Sequence, residues 1–378
     1  MVVCQYFGRC GGCSLQHVPY ESQLLQKKAR VVSLAKRKNI VLPEVIVSSG
    51  REYGYRNRMD FIFHKDGLGL RKKGDWKHIV GIETCPIANE GVNKLLQEAR
   101  HWFMDNKEKL SVFDVKRQSG VLKYCVVRSS VNLPSSAVSF VMNEDAPSHA
   151  EHIVRVEDFA RMSSAENVVV TRVPKKSDMS ISEDFFPVKG EGILKERIAG
   201  SVLSYAVQGF FQNNPVMAEQ MVIAAREILS SYETENAILL DLFGGVGTFG
   251  IPLGCMFRKL VIFESCKGSV DCAKKNILEN TVVGEVIFAD AASLHKHELP
   301  GLLFVVVDPP RTGLPKKTIA FLLTRMPEVL LYVSCNPEEL FRELPLFMPA
   351  YDIKSVRLFD LFPQTPHTEV MVELRKKE

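Results

Sequence analysis

Three short segments in the last quarter of the chain carry side chains able to move electron pairs and protons. In Val333-Ser334-Cys335-Asn336-Pro337 a thiol ends an apolar run and directly precedes Pro337-Glu338-Glu339, which reads as the first turn of a helix. A thiol facing a helix N-terminus has a lowered pKa and more thiolate character, so Cys335 is a candidate nucleophile. Phe362-Pro363-Gln364-Thr365-Pro366-His367-Thr368-Glu369 brings His367 and Glu369 close together, and by position either could act as general base. Asp308-Pro309-Pro310-Arg311-Thr312-Gly313-Leu314 follows an apolar run at residues 302–307. Its paired prolines stiffen the exit and place Asp308 to accept a hydrogen bond from a base N–H. The competing readings are a buried spectator thiol, a polar hairpin loop and an aspartate that only caps the next helix.

A fourth segment, Asp241-Leu242-Phe243-Gly244-Gly245-Val246-Gly247-Thr248-Phe249-Gly250, follows an apolar run and opens a helix. Its glycines permit a tight turn and close approach of backbone to a ligand, as in nucleotide-binding loops. Asp241 would suit a cationic methionyl group, which favours S-adenosylmethionine. Glu264, ending the next strand, is placed to accept hydrogen bonds from ribose hydroxyls, a role that NAD would satisfy equally well. A thiol, a base and a methyl donor together suit one reaction well. Carbon 5 of a pyrimidine is a poor nucleophile until a thiolate adds at carbon 6, and a base must then remove the carbon 5 proton. Methylation at nitrogen or oxygen needs no such cysteine.

These segments need a sheet to position them. After Phe210 the apolar runs at 237–242, 260–263, 285–288, 302–307, 329–333, 353–358 and 370–374 alternate with helical patterns at 216–230, 267–280, 316–326 and 337–347. That rhythm predicts an α/β unit with a mostly parallel sheet, and the last two strands, joined without a helix, predict an antiparallel hairpin. All four segments then fall at the carboxyl ends of strands, where open sheets build their sites. Upstream, residues 59–63, 121–127, 137–142 and 167–173 read as short strands, interrupted by one helix at 89–106. Residues 19–39 suit an amphipathic basic helix. The division expected is a cysteine-rich region with that helix over 1–47, an α+β middle domain over 48–206, and a Rossmann-like methyltransferase domain over 207–378.

The chain has 378 residues, 46% hydrophobic and 24% charged, with no apolar run long enough to span a bilayer. Met1-Val2-Val3-Cys4 lacks the features of a signal peptide, so a cytoplasmic protein without membrane partners is expected, as a monomer. Net charge is +4, with basic clusters at Lys27-Lys28, Lys36-Arg37-Lys38, Arg71-Lys72-Lys73 and residues 172–176, a distribution that suits a polyanionic partner. Of nine cysteines, Cys4, Cys10, Cys13 and Cys85 form C-x5-C-x2-C with a distant fourth. The spacing fits either zinc or an iron–sulfur cluster.

With these motifs the chain resembles the RNA uracil-C5 methyltransferases that carry an N-terminal iron–sulfur cluster and act on 23S ribosomal RNA or tRNA. The resemblance runs from Cys4 to about Leu374. It implies Cys335 as nucleophile, Glu369 as base, and uracil as the pyrimidine. Phe210-Phe211-Gln212-Asn213-Asn214 matches a family segment whose glutamine lies between cofactor and target base, implying Gln212. Cofactor contacts carry over to Phe243, Glu264, Asp290 and Asp308. The four cysteines, with Cys-Gly-Gly-Cys at 10–13, imply a [4Fe–4S] cluster. Two departures stand out: the family usually has Cys where this chain has Gly244, at no expected cost, and often Asn at Thr248. The small β-barrel RNA-binding domain that often begins family members is expected to be absent, leaving the cluster region and middle domain, including Tyr55-Arg56-Asn57-Arg58, to hold RNA. On that ground 23S rRNA is the favoured substrate, with a tRNA T-loop uridine as the alternative. A cytosine-C5 methyltransferase, a nicotinamide oxidoreductase and a non-catalytic RNA-binding protein are the remoter possibilities.

Overall fold

The computed structural model describes residues 3–378, so the reading of Met1 and Val2 lies outside the described residues. The chain forms two compact units. The first comprises residues 1–17, 51–196 and 205–213, and the second residues 18–50, 197–204 and 214–378.

The first unit is built on a seven-stranded sheet. Its order is Asp75–Gly81, Gly67–Lys72, Arg58–His64, Leu122–Ser129, Ser136–Asn143, Asn167–Val173 and Phe185–Lys189. In Arg58–His64 the alternate residues Met59, Phe61 and Phe63 are buried, the period-two signature of a strand with one face on the core. Ser136–Asn143 and Asn167–Val173 pair in parallel. A parallel pair needs a crossover, and helix His149–Met162 supplies it. The sequence reading expected one helix in this region, so this second helix is a correction. Its inward apolar residues, Ile153, Val156, Phe159 and Ala160, fall on one face, while Val154 and Met162 among the charges are exposed and blur the pattern. Phe159 packs edge-on against Trp102 of helix Glu90–Asn106, and both rings pack on Phe140 of the sheet.

The second unit carries an eight-stranded sheet ordered Val45–Ser48, Tyr351–Phe359, Glu369–Lys376, Val329–Ser334, Leu303–Val307, Ile238–Leu242, Lys259–Glu264 and Gly284–Phe288. All neighbours are parallel except Glu369–Lys376, which runs antiparallel to both of its partners. Every residue of Ile238–Leu242, Leu303–Val307 and Val329–Ser334 is buried, which is why these strands read as unbroken apolar runs. The expected closing hairpin is present. The N-terminal part of this unit differs from the division read from sequence. Helix Tyr20–Arg37 and strand Val45–Ser48 belong here, the strand pairing with Tyr351–Phe359 (Val45 opposite Val356), and not with the cysteine segment. Four residues of edge strand carry too little pattern to reveal a partner three hundred residues away.

Candidate active site

Strand register lines up the candidate residues on one edge of the second sheet. Ile238–Leu242 ends level with Phe263 of one neighbour and Val307 of the other, so Phe243, Glu264 and Asp308 sit side by side just past the strand ends. Ser334 pairs with Val370 across the antiparallel ladder, and the next residues outward, Cys335 and Glu369, therefore face each other. Reading along the sheet, Asp290, Glu264, Phe243, Asp308, Cys335 and Glu369 follow in order, contributed by six adjacent strands.

The glycine loop is tightly specified. Phe243 adopts φ +60°, a left-handed conformation costly for a side chain other than glycine. Asp241 is buried, and its Oδ2 accepts a hydrogen bond from Gly250 N at 2.8 Å. Glu264 ties down the other side: Oε2 accepts from Gly245 N at 2.9 Å, and Oε1 from Ser265 N and Cys266 N at 2.7 and 2.6 Å. A carboxylate has about four lone-pair sites, so lone-pair capacity for a ribose remains. Asp290 Oδ1 caps the following turn through Ala292 N at 2.7 Å. A β-carbon at Gly244 would come within 2.7 Å of Ile262 Cγ2 and 2.9 Å of Asp241 Oδ2. The loop is thus packed tightly around glycine at position 244.

Three carboxylates, Asp241, Glu264 and Asp308, surround this loop. Burial, with Asp308 and Glu264 adding to it, pushes Asp241 up to about 7. Asp241 Oδ1 is buried without a hydrogen-bond partner among the described residues. An orphaned carboxylate oxygen beside two further acids suits a cationic ligand, and a sulfonium with a methionyl ammonium meets that demand.

Cys335 is half-buried and Glu369 is buried, at 6% exposure. Here the structure corrects the sequence reading. Burial first, then the nearby Glu369 and Asp308 charges, raise the Cys335 thiol to about 11 against the opposing pull of Arg311. Desolvation and two carboxylates outweigh the helix N-terminus. Glu369 is likewise held well above the usual carboxylate range, by burial first and then by Asp308. His367, the other base suggested by position, is exposed. Arg311 was missed as a site residue. It hydrogen-bonds the thiol, its carbonyl accepts from Asn336 Nδ2 at 2.9 Å, and the signal was its place three residues after Asp308. The loop bearing both is fixed by buried Glu343, which accepts from Leu314 N at 3.1 Å and from Tyr332 Oη at 2.6 Å.

Gln212 lies in the first unit and is buried there. Asn57 holds its loop by donating Nδ2–H to Gln212 O at 3.1 Å and N–H to Asn213 O at 3.0 Å. Arg58 is committed to Asp60 through two hydrogen bonds of 2.8 and 2.9 Å, while Arg56 Nε donates to Arg58 O. Cys4, Cys10, Cys13 and Cys85 line one pocket with largely apolar walls, including Tyr6, Phe7, Met59 and Leu70. Burial, with smaller contributions from neighbouring cysteines of the set, raises Cys10, Cys13 and Cys85, the last to about 12. Among the described residues, no group of three or more His, Cys, Asp or Glu side chains is drawn together as a ready site for a metal ion. No described helix is long and apolar enough to cross a membrane.

Counting from Ile238–Leu242 as strand 1, the sheet order is 3-2-1-4-5-7-6 with strand 7 antiparallel, and a glycine loop follows strand 1. Fold and site edge together define a Rossmann-like S-adenosylmethionine-dependent methyltransferase. The profile of the tRNA (Uracil-5-)-methyltransferase family matches residues 19–377. A tRNA (uracil(54)-C(5))-methyltransferase of Pyrococcus horikoshii is 34% identical over 98% of this chain and 85% of its own length. An uncharacterized RNA methyltransferase of Caldanaerobacter subterraneus is 32% identical over 99% of this chain and 84% of its own length. The crystal structure of Pyrococcus abyssi tRNA (uracil-54, C5)-methyltransferase in complex with S-adenosyl-L-homocysteine superposes with a TM-score of 0.79 at 30% identity. That match covers 96% of this chain and 85% of the other. The chain belongs to the tRNA (uracil-5-)-methyltransferase family. It is an enzyme that methylates carbon 5 of uracil in RNA from S-adenosylmethionine.

Proposed function

We propose that the substrate is a tRNA, at the uridine 54 position named for the Pyrococcus relatives, and that Cys335 and Glu369 carry the chemistry. The observation behind the second part is the ladder register that sets Cys335 opposite Glu369 beside Asp308. The names of the relatives favour tRNA over the 23S rRNA expected from sequence.

The Cys335 thiolate adds to carbon 6 of the uracil, and the ring's electron pair moves to carbon 5. S-adenosylmethionine would supply the methyl group, its S–CH3 bond breaking as carbon 5 takes the methyl and S-adenosylhomocysteine leaves. Its sulfonium charge would offset the carboxylates that keep the thiol protonated. Arg311 stabilises the thiolate as it forms. Glu369 then removes the carbon 5 proton, the carbon 5–carbon 6 double bond re-forms, and Cys335 is expelled. Phe243, Glu264, Asp290 and Asp308 would hold the donor. Asp308 would accept a hydrogen bond from the donor or base.

Cys4, Cys10, Cys13 and Cys85 would hold a [4Fe–4S] cluster. Four thiols lining one largely apolar pocket suit a cofactor that takes them as thiolates, and Gly12 N–H already points at Cys10 Sγ at 3.4 Å. No step of the reaction needs an electron, so the cluster serves structure or RNA binding. Stoichiometric zinc without iron in anaerobically purified protein would remove this assignment.

The catalytic test uses 5-fluorouridine-substituted tRNA. Wild type should form a covalent adduct, Cys335→Ala should form none, and Glu369→Gln should accumulate adduct on ordinary tRNA because proton removal is blocked. Turnover by Cys335→Ala would refute the nucleophile assignment. Mapping 5-methyluridine in total RNA with and without the protein decides between tRNA and rRNA.

A further inference from the structure

The first unit contains a groove of about 880 Å³ that the residues above do not account for. Its floor includes Gly11 and Gly12 of the cysteine loop, and one wall is the hairpin Gly67–Lys72 and Asp75–Gly81. The two parts are joined by backbone hydrogen bonds, Gly11 N to Arg71 O at 2.9 Å and Lys73 N to Arg9 O at 2.8 Å. Five cations line the groove, Arg56, Arg58, Arg71, Lys72 and Lys73, against two carboxylates, Asp60 and Asp75. Arg58 and Arg71 are neutralised by Asp60 and Asp178. Lys72 and Lys73 are exposed, and the only acid within 4.0 Å of Lys72 among the described residues is Asp75, at that limit.

Trp76 stands in this wall with 57% of its surface exposed. Indoles are usually buried on average, and an exposed one flanked by cations is a surface for stacking. Lys77 Nζ and Arg71 Cζ lie 5.6 and 5.8 Å from the Trp76 ring centroid. A base within a duplex has both faces covered by its neighbours, so only an unpaired nucleotide can offer a face to this ring. From this juxtaposition we infer that the groove binds a single-stranded stretch of the substrate RNA, an unpaired base stacking on Trp76 and phosphates meeting Lys72, Lys73 and Arg56. The inference rests on RNA being the substrate, but not on the roles of Cys335 or Glu369.

The chain supplies its own reporter, since of its two tryptophans Trp76 is exposed and Trp102 is buried at 3%. Titration with an oligouridylate single strand should quench the tryptophan emission of the wild type and leave that of Trp76→Phe unchanged. A perfect RNA duplex of the same length should quench much less. Trp76→Ala should raise the KM for tRNA about 5- to 150-fold, the range for loss of one stacked base. The KM for S-adenosylmethionine should not move. Lys72→Ala with Lys73→Ala should lower the slope of log affinity against log salt by about 1.4 for a single strand. Equal quenching by duplex and single strand, or an unchanged RNA KM in Trp76→Ala, would overturn the inference. Quenching together with a Cys335→Ala enzyme that still turns over would instead sink the catalytic reading alone.

Discussion

Helix Tyr20–Arg37 holds the loop that delivers Glu369, and its central contact gives a quantitative test. Gln23, Lys27 and Arg30 lie on one helical face. Gln23 exchanges two hydrogen bonds with Gln364, at 2.9 and 3.0 Å. Lys27 Nζ pairs with Asp360 Oδ1 at 2.5 Å and donates to Phe362 O at 3.2 Å, and Arg30 donates to Pro366 O at 3.1 Å. Lys27 and Asp360 are 3% and 0% exposed, and Asp360 Oδ2 has no hydrogen-bond partner among the described residues. Lys27→Met would therefore strand a carboxylate in the core, at a cost of about 3–5 kcal/mol. Arg30→Ala removes an ion pair with Glu338 whose two side chains are 41% and 49% exposed, and should cost about 0–1 kcal/mol. The double variant Lys27→Met with Asp360→Leu removes both charges and should recover most of the loss. Urea unfolding measures all three. Because a shift of about 1 Å in a catalytic group can cost about 100-fold, folded Lys27→Met should also form the 5-fluorouridine adduct about 10- to 100-fold more slowly. A Lys27→Met protein within about 1 kcal/mol of wild type would show that the pair does not hold this loop.

Other outcomes follow from the same geometry. Alkylation of Cys335 by iodoacetamide, followed by peptide mass spectrometry, should titrate near pH 11 in the ligand-free enzyme. Because the Glu369 and Asp308 charges raise that value, Glu369→Gln and Asp308→Asn should each move the profile to lower pH, and a shift upward would contradict the assigned cause. Gly313 has φ +77°, and a β-carbon there would run into Glu343 Oε1, so Gly313→Ala should cost about 2 kcal/mol or more in thermal or urea unfolding. Gly244→Cys should lower the melting temperature and the affinity for S-adenosylhomocysteine by calorimetry, since its β-carbon crowds Ile262 and Asp241.

What could be read in advance depended on how each element is buried. Strands covered on both faces, such as Leu303–Val307, announce themselves by composition alone, and helix Pro337–Phe347 was bounded correctly by its proline and acidic first turn. The hairpin of Gly67–Lys72 and Asp75–Gly81 went unread because Arg-Lys-Lys-Gly-Asp-Trp-Lys carries charge on an exposed edge and lacks clear alternation. Cys335, Glu369 and Asp308 were all visible as residues worth watching, since each ends or begins a strand beside a loop of restricted residues. The thiol's protonation state was not visible. Its local neighbour, the helix N-terminus, argues for a thiolate, while burial first, and then charges from two other strands, reverse that argument. Arg311 escaped notice for a related reason, because its partner lies 24 residues further along the chain.

The division of the chain has a consequence for its synthesis. Residues 51–196 form the bulk of one unit and interrupt the other, whose strand Val45–Ser48 waits for a partner beginning at Tyr351. At about 5–20 residues per second, the ribosome leaves that strand without its partner for roughly 15–60 s. The inserted unit has most of its residues within 51–196 and can fold during this interval, while helix Tyr20–Arg37 keeps its apolar face exposed. The catalytic sheet closes only once Glu369–Lys376 has left the exit tunnel. Until then the early segment carries the unpaired strand edge and bare apolar face that invite aggregation.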